Sequence, residues 1–214
     1  MSTQSATSRA RPRRGAPRRR FVLRRVAWLL AAVAVLGGVI AAVVAPRVDK
    51  AVQEVVLPLR HEDIIRQQAA DKGLDPALIA GVIYTESRFR DQTSHAGAKG
   101  LMQLLPSTAH DIARKSGGTA FVQGDLANPQ VNIAYGSFYL RYLLHRYGGN
   151  EVLAIAAYNA GEGRVDKWIF EARHKGEAFD RARHIPFPET RHYVEQVLDA
   201  RARYREEYPR ELGL

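Results

Sequence analysis

An uninterrupted apolar stretch of twenty residues, Val26 to Ala45 (VAWLLAAVAVLGGVIAAVVA), limits what this chain can fold into more than any other feature. At 1.5 Å per helical residue it matches the ~30 Å hydrocarbon core of a bilayer. With no polar face, it does not read as the amphipathic helix of a globular core. Arg24 and Arg25 precede it and only Arg47 and Lys50 follow closely, so the positive-inside bias puts the N-terminus in the cytoplasm and everything after residue 46 outside. The rival is an export signal: Arg18-Arg19-Arg20-Phe21-Val22-Leu23 resembles a twin-arginine leader and Ala45 is a small residue of the kind found at cleavage sites. Pro46 at the cleavage position and the length of the run favour an uncleaved anchor.

Charge must be read with that span in place. The 214-residue chain carries +10 overall, but nine arginines and no acid lie in residues 1–25, which leaves 23 basic against 22 acidic residues in the remainder. The basicity belongs to a Ser-, Pro- and Arg-rich disordered tail that sets topology and meets anionic headgroups, so a nucleic-acid partner is not expected. Zero cysteines remove disulfides, thiolate nucleophiles and iron–sulfur clusters. The seven histidines include no HExxH, so no metal or other cofactor is expected.

Beyond a connector over residues 46–59, the chain reads as helices with their own start and stop marks. The expected helices are His61 to Lys72, stopped by Gly73; one capped by Asp75 with Pro76 in its first turn and a stripe of Leu78, Ile79, Val82 and Ile83; Pro106 to about Lys115; Asn128-Pro129 to Tyr147; Glu151 to about Asn159, capped by Asn150; a short Arg164 to Arg173; and Glu189 to Tyr208. No alternating segment is long enough for a strand. The expected organisation is a basic tail (1–25), a transmembrane helix (26–45), the connector (46–59), a mainly α domain (60–208) and a C-terminal tail (209–214). The thirteen connector residues 47–59 would reach at most ~3.5 Å each.

Four clusters carry chemistry. Glu86 lies at the end of the apolar helix that runs from Pro76 to Ile83, where the negative end of the helix dipole and apolar neighbours both favour the protonated carboxyl that a general acid needs. In Gly100-Leu101-Met102-Gln103 a glycine allows close backbone approach and Gln103 offers donors and an acceptor to a sugar. In Ala157-Tyr158-Asn159-Ala160-Gly161 an aromatic ring and an amide sit together, which suits a pyranose. In Pro186-Phe187-Pro188-Glu189-Thr190-Arg191-His192-Tyr193, Glu189 and Tyr193 are four apart, a spacing that shares one helix face.

These clusters, Glu86-Ser87, Gly100 to Gln103, Ala157 to Gly161 and Glu189-Thr190-Arg191-x-Tyr193, taken in this order, resemble the catalytic domain of the soluble lytic transglycosylase type, the lysozyme-like murein lyases, over roughly His61 to Tyr208. The resemblance implies a lysozyme-like helical fold behind the single membrane span and cleavage of the β-1,4 bond between N-acetylmuramic acid and N-acetylglucosamine without water, giving 1,6-anhydromuramoyl ends. It implies Glu86 as the acid and then the base, with Ser87, Met102, Gln103, Tyr158, Asn159, Glu189 and Tyr193 as substrate-binding residues. Glu189 reads equally as a brace for Arg191 or Tyr193. The implied partners are peptidoglycan glycan strands, and the membrane through residues 26–45; a wall-synthesis machinery is left open. Two rivals share the fold: a goose-type lysozyme-like muramidase that uses water, and a non-catalytic wall-binding scaffold.

Overall fold

The computed structural model of the chain describes residues 25, 28–30, 32–40, 42, 54–117 and 122–214. The chain divides into two units, residues 1–52 and 53–214. In the first, residues 28–30, 32–40 and 42 are helical, and apolar side chains such as Trp28, Leu29, Leu30, Val33, Leu36 and Ile40 are exposed. The rest of the expected 26–45 span and residues 1–24 of the basic tail lie outside the described residues, and among the described residues no helix is long and apolar enough to cross a membrane.

The second unit is helical, as its punctuation demands. Helix α1 spans Glu62–Lys72, α2 Pro76–Ser87, α3 Pro106–Ser116, α4 Pro129–Arg146, α5 Glu151–Ala160, α6 Glu162–His174, α7 Arg181–His184, α8 Pro188–Glu207 and α9 Pro209–Leu212, with a 3-10 turn at Gln123–Ala127 between α3 and α4. The start signals act as expected: Asp75, Asn128 and Asn150 each cap a helix by accepting a backbone N–H, from Ala77, Gln130 and Leu153 respectively. Gly73 and Gly117 end α1 and α3 in the left-handed conformation. Helix α2 continues one turn past Ile83 to Ser87, and α6 starts at Glu162 rather than Arg164. Among the described residues there is no strand, only isolated bridges from Lys99 to Thr93 and Leu104.

Helix α2 is the buried centre of this unit. Ala77 to Ile83 are all buried, and the helix packs along α8. Gly81 makes that seam tight: a Cβ there would stand 2.9 Å from the Val197 carbonyl oxygen and 3.0 Å from the Arg201 nitrogen, so only glycine lets the two backbones meet. Arg201 then pins three elements, pairing with Asp75 at the start of α2 and with Glu151 (2.6 Å) at the start of α5. A smaller apolar cluster of Leu104, Ala109, Ile112 and Leu126 sits under Tyr135, Phe138, Tyr139 and Tyr158.

Two segments expected to be peripheral are part of the folded unit. Of residues 209–214, read from sequence as a tail, Pro209–Leu212 form helix α9, which packs against α1 and buries Leu212; the Pro209 start and Gly213 stop mark a helix too short for periodicity to reveal. The end of the connector is docked as well. Leu57 is buried, and the hydroxyls of Tyr84, Tyr204 and Tyr208 donate to the consecutive carbonyls of Val56, Leu57 and Pro58, Tyr208 to Leu57 and Tyr204 to Pro58. Residues 56–58 therefore do not add to the connector's free reach.

Candidate active site

The last turn of α2 presents Glu86 towards α8, where the Tyr193 hydroxyl donates to Glu86 Oε1 at 2.6 Å. Burial pushes the Glu86 carboxyl up from its ordinary 4.5 to about 7, and the Tyr193 hydrogen bond, which favours the ionised form, pulls against it. Near neutral pH both protonation states are therefore populated. Oε2 has no protein partner among the described residues. Burial also holds the Tyr158 and Tyr193 phenols well above 10, with the nearby Glu86 charge adding to the effect, so both stay hydrogen-bond donors. Among the described residues no second carboxylate contributes to the shift of Glu86.

The turn that follows α2 is strained. Arg88 and Phe89 are consecutive non-glycine residues in the left-handed region, at φ 51° and 59°. Such backbone costs about 1–3 kcal/mol per residue and persists only where packing over-determines it. Here Phe89 is buried with its ring 6.0 Å from Tyr204 on α8, so the strain is held by the α2–α8 seam that also aligns Glu86 with Tyr193. Ser87 is buried, and its hydroxyl donates back to the Ile83 carbonyl (3.1 Å), leaving only lone pairs for any other partner.

The second wall is the loop from Gly97 to Gln103. Gln103 itself is left-handed, at φ 46°, and its Nε2 donates to the carbonyls of Gly100 (2.7 Å) and Gln92 (3.0 Å). Both amide donors are thus spent inside the protein, and Oε1 remains as an acceptor. Met102 does not line a groove with its side chain: it is fully buried, against a Gly136 whose missing Cβ would lie 2.3 Å from the sulfur. Its side chain is therefore packed in the interior rather than offered to a ligand. Met102 serves through its backbone, its carbonyl accepting from the Tyr158 hydroxyl at 3.0 Å.

Sequence reasoning did not single out the residue that organises this loop. Asn132 of α4, fully buried, accepts from the Met102 N–H (2.8 Å) and donates to the carbonyls of Lys99 and Leu126 (both 3.0 Å). Gly100, at φ 76°, must be glycine on two counts, since a Cβ would also meet Asn132 Nδ2 at 2.1 Å. An asparagine at the fourth position of the helix, between the apolar Val131 and Ile133, was the available signal.

At the third wall, Asn159 is exposed at the end of α5, and its Oδ1 accepts from the Thr190 hydroxyl at 2.9 Å, which fixes the amide and turns its donors outward. Tyr158 is half-buried, its ring 5.4 Å from Tyr139. Glu189 stands exposed in the first turn of α8 with no protein partner among the described residues, while Tyr193 on the next turn is buried, so the shared spacing does not bring them to one environment. Thr190, between them, is the residue that links α8 to Asn159. The structure thus brings Glu86, Tyr193, Tyr158, the Met102 backbone and Gln103 into one connected arrangement, with Asn159 tied to its α8 side. Among the described residues no group of three or more His, Asp or Glu could hold a metal ion.

Comparison with known proteins fits this geometry. The soluble lytic murein transglycosylase of Escherichia coli K12 is 35% identical over 150 residues, 69% of this chain but only 23% of that protein. A membrane-bound lytic murein transglycosylase C of Actinobacillus pleuropneumoniae is 34% identical over 164 residues, covering 66% of this chain and 44% of the relative. Among solved structures, the 70 kDa soluble lytic transglycosylase of Escherichia coli superposes with a TM-score of 0.66 at 33% identity, over 72% of this chain and 25% of that one. An inactive glutamate-to-glutamine mutant of lytic transglycosylase Slt from Pseudomonas aeruginosa does so with a TM-score of 0.64 at 35% identity, over 73% of this chain and 26% of that one. The chain therefore spans about a quarter of the length of the soluble relatives. The Transglycosylase SLT domain model matches residues 63–179, more than half of the chain, and takes in Glu86, Gln103, Tyr158 and Asn159; the chain belongs to that family.

Proposed function

We propose that this chain is a membrane-anchored peptidoglycan lytic transglycosylase that cleaves the β-1,4 bond between N-acetylmuramic acid and N-acetylglucosamine and closes a 1,6-anhydro ring without consuming water. One observation carries the reading: a desolvated carboxyl, poised at about 7, hydrogen-bonded on one oxygen, with no partner on the other and no second carboxylate acting on it among the described residues. A conventional glycosidase needs two carboxyl groups across the scissile bond. A single one suffices if the substrate supplies the nucleophile.

In this mechanism protonated Glu86 gives its proton to the glycosidic oxygen as the C1–O bond breaks, and the muramoyl acetamido oxygen forms a bond to C1. The carboxylate left behind is stabilised by the Tyr193 hydroxyl. It then takes the proton of the C6 hydroxyl, O6 attacks C1, the acetamido oxygen leaves, and Glu86 returns protonated. A pKa near the working pH suits a group that must act both ways. Asn159, oriented by Thr190, supplies donors to the sugar, and Gln103 Oε1 supplies an acceptor. Tyr158 lines the site, Ser87 supports the last turn of α2, Met102 acts through its backbone, and exposed Glu189 reaches the glycan directly. The inactivity of the Pseudomonas relative's glutamate-to-glutamine mutant supports reliance on one glutamate.

Anchoring rests on the apolar run and on its described residues, which are helical with exposed apolar side chains. The relative named as membrane-bound is compatible with it. Residues 1–25 then stay in the cytoplasm and the helical unit faces the wall.

The test is digestion of purified peptidoglycan by the full chain in detergent and by Glu86→Gln, with products read by mass spectrometry. Muropeptides lighter by one water than hydrolytic ones, falling at least about 10³-fold in the variant, are the expected result. Reducing-end products would make the protein a muramidase, and glycan binding without turnover would make it a scaffold.

A further inference from the structure

The end of the connector meets the turn behind Glu86 through an unbroken series of contacts. Tyr84 of α2, Phe89, Tyr204 of α8 and Tyr208 just past its end form one cluster of rings, with Tyr204 standing 6.0 Å from both Tyr84 and Phe89 and 5.8 Å from Tyr208. All three hydroxyls of that cluster end on residues 56–58: Tyr84 donates to the Val56 carbonyl (3.1 Å), Tyr208 to that of Leu57 (2.8 Å) and Tyr204 to that of Pro58. Between those carbonyls the Leu57 side chain is buried in the main core, at 1% exposure. On its other side the cluster holds Arg88 and Phe89. Arg88 donates to the Tyr84 hydroxyl at 2.8 Å, keeps its guanidinium 4.9 Å from the centre of that ring, and closes the last turn of α2 with its backbone N–H on the Tyr84 carbonyl (3.0 Å).

A passing segment of chain can leave its carbonyls to water, so three phenols donating to three consecutive carbonyls need a reason. Tyr204 is fully buried, and without Pro58 its hydroxyl would be stranded. The segment thus completes the ring cluster, and the ring cluster in turn keeps Arg88 and Phe89 in left-handed backbone directly after the turn that carries Glu86. We infer that the docked end of the connector is a working part of the active site, with Leu57, Tyr204 and Tyr208 as the residues through which it positions Glu86. This rests on the reading of Glu86 as the acid. Residues 56–58, Tyr204 and Tyr208 all lie outside the stretch 63–179 that the family's domain model matches, so a unit cut to that stretch would lack the device.

The test uses the full chain in detergent, acting on soluble, uncross-linked glycan strands well below the melting temperature of every variant. Leu57→Ala empties the socket that docks the segment, Leu57→Met refills it, and Val55→Ala alters an exposed neighbour that docks nothing. The expected result for Leu57→Ala is a kcat lower by roughly ten- to a hundredfold with KM within about twofold, the mark of a misplaced reacting group. Its kcat profile should also change shape. Burial keeps Glu86 protonated towards neutral pH, so a loosened turn that readmits water moves the alkaline limb of the profile to lower pH. Leu57→Met should restore both readouts, and Val55→Ala should move neither. Earlier melting with kcat and pH profile intact would make the segment a stabiliser only and overturn the inference. If Leu57→Ala does not fold, the Tyr204→Phe, Tyr208→Phe pair decides by the same two readouts, because it keeps both rings and removes only the hydroxyls that reach Leu57 and Pro58. Failure of the Glu86 reading would show separately, as full activity in Glu86→Gln. The coupling is then read from hydrogen exchange at the amides of residues 84–90, where faster exchange in the variants keeps the connector's hold on that turn and unchanged exchange overturns it.

Discussion

Glu86 and Gln103 belong to one connected arrangement and are held in it by opposite means. The Glu86 wall is a seam of two long helices brought backbone to backbone through Gly81, so its precision is spread over α2 and α8 and over buried rings such as Phe89 and Tyr204. The Gln103 wall is a loop with little regular structure, and its precision is concentrated in a single buried amide, Asn132. A distributed wall should yield gradually to substitution and a concentrated one abruptly.

The sharpest way to break that contrast is Asn132→Ala. It leaves the Met102 N–H and the carbonyls of Lys99 and Leu126 without partners in a buried space, at a cost of about 3–5 kcal/mol, since each stranded group costs about 1–3 kcal/mol and some will recover water. Denaturant unfolding should show the loss, and glycan binding should weaken further as Gln103 is freed from its left-handed turn. A loss under about 1 kcal/mol would show that the loop is held by the apolar cluster beneath it instead.

The next effect concerns the charge that the α2–α8 seam buries. Glu86 is more readily protonated in the folded state than in the unfolded chain, so the folded state binds more protons between about 4.5 and about 7. Stability from this group is fully present below about 4.5 and is lost as pH rises through about 7. Glu86→Gln, neutral throughout, escapes that loss. Its stability relative to wild type should therefore grow across this window and reach up to about 3 kcal/mol at pH 8, a ceiling set by ~1.4 kcal/mol for each tenfold difference in proton affinity between the folded and unfolded chains. Thermal melts of both proteins at pH 4 and pH 8 check it, and a difference that does not change with pH would mean that the carboxylate is well solvated.

The contrast between the walls also explains what could be read from the sequence. Helix starts and stops at Asp75-Pro76, Gly73, Asn128-Pro129 and Asn150 are local chemistry and were legible, as was Glu86, because a lone carboxyl at the end of an apolar helix is anomalous within a dozen residues. Tyr193 entered as a site residue only through the resemblance, and its hydrogen bond to Glu86, 107 positions away, is a tertiary fact. Asn132 was not legible, because its partners at Lys99, Met102 and Leu126 are loop backbone with no sequence signature. The burial of the Met102 side chain was not legible either, since nothing local says that Gly136 on a distant helix leaves a socket for it.

The smallest effect on stability should come from Glu189, and it sharpens the comparison from within α8. Tyr193, one turn later, is built into the seam, whereas Glu189 is exposed in the first helical turn without a protein partner among the described residues, where the helix dipole is its main intramolecular interaction. Removing that interaction from an exposed position costs about 0.5 kcal/mol, less at moderate salt. Glu189→Ala should therefore leave the melting transition nearly in place. If the carboxylate reaches the glycan, the variant should raise KM roughly two- to tenfold, the range of one hydrogen bond, with kcat unchanged, because uniform binding is lost rather than transition-state stabilisation. A variant that melts clearly earlier while KM stays put would make Glu189 a brace for its own helix.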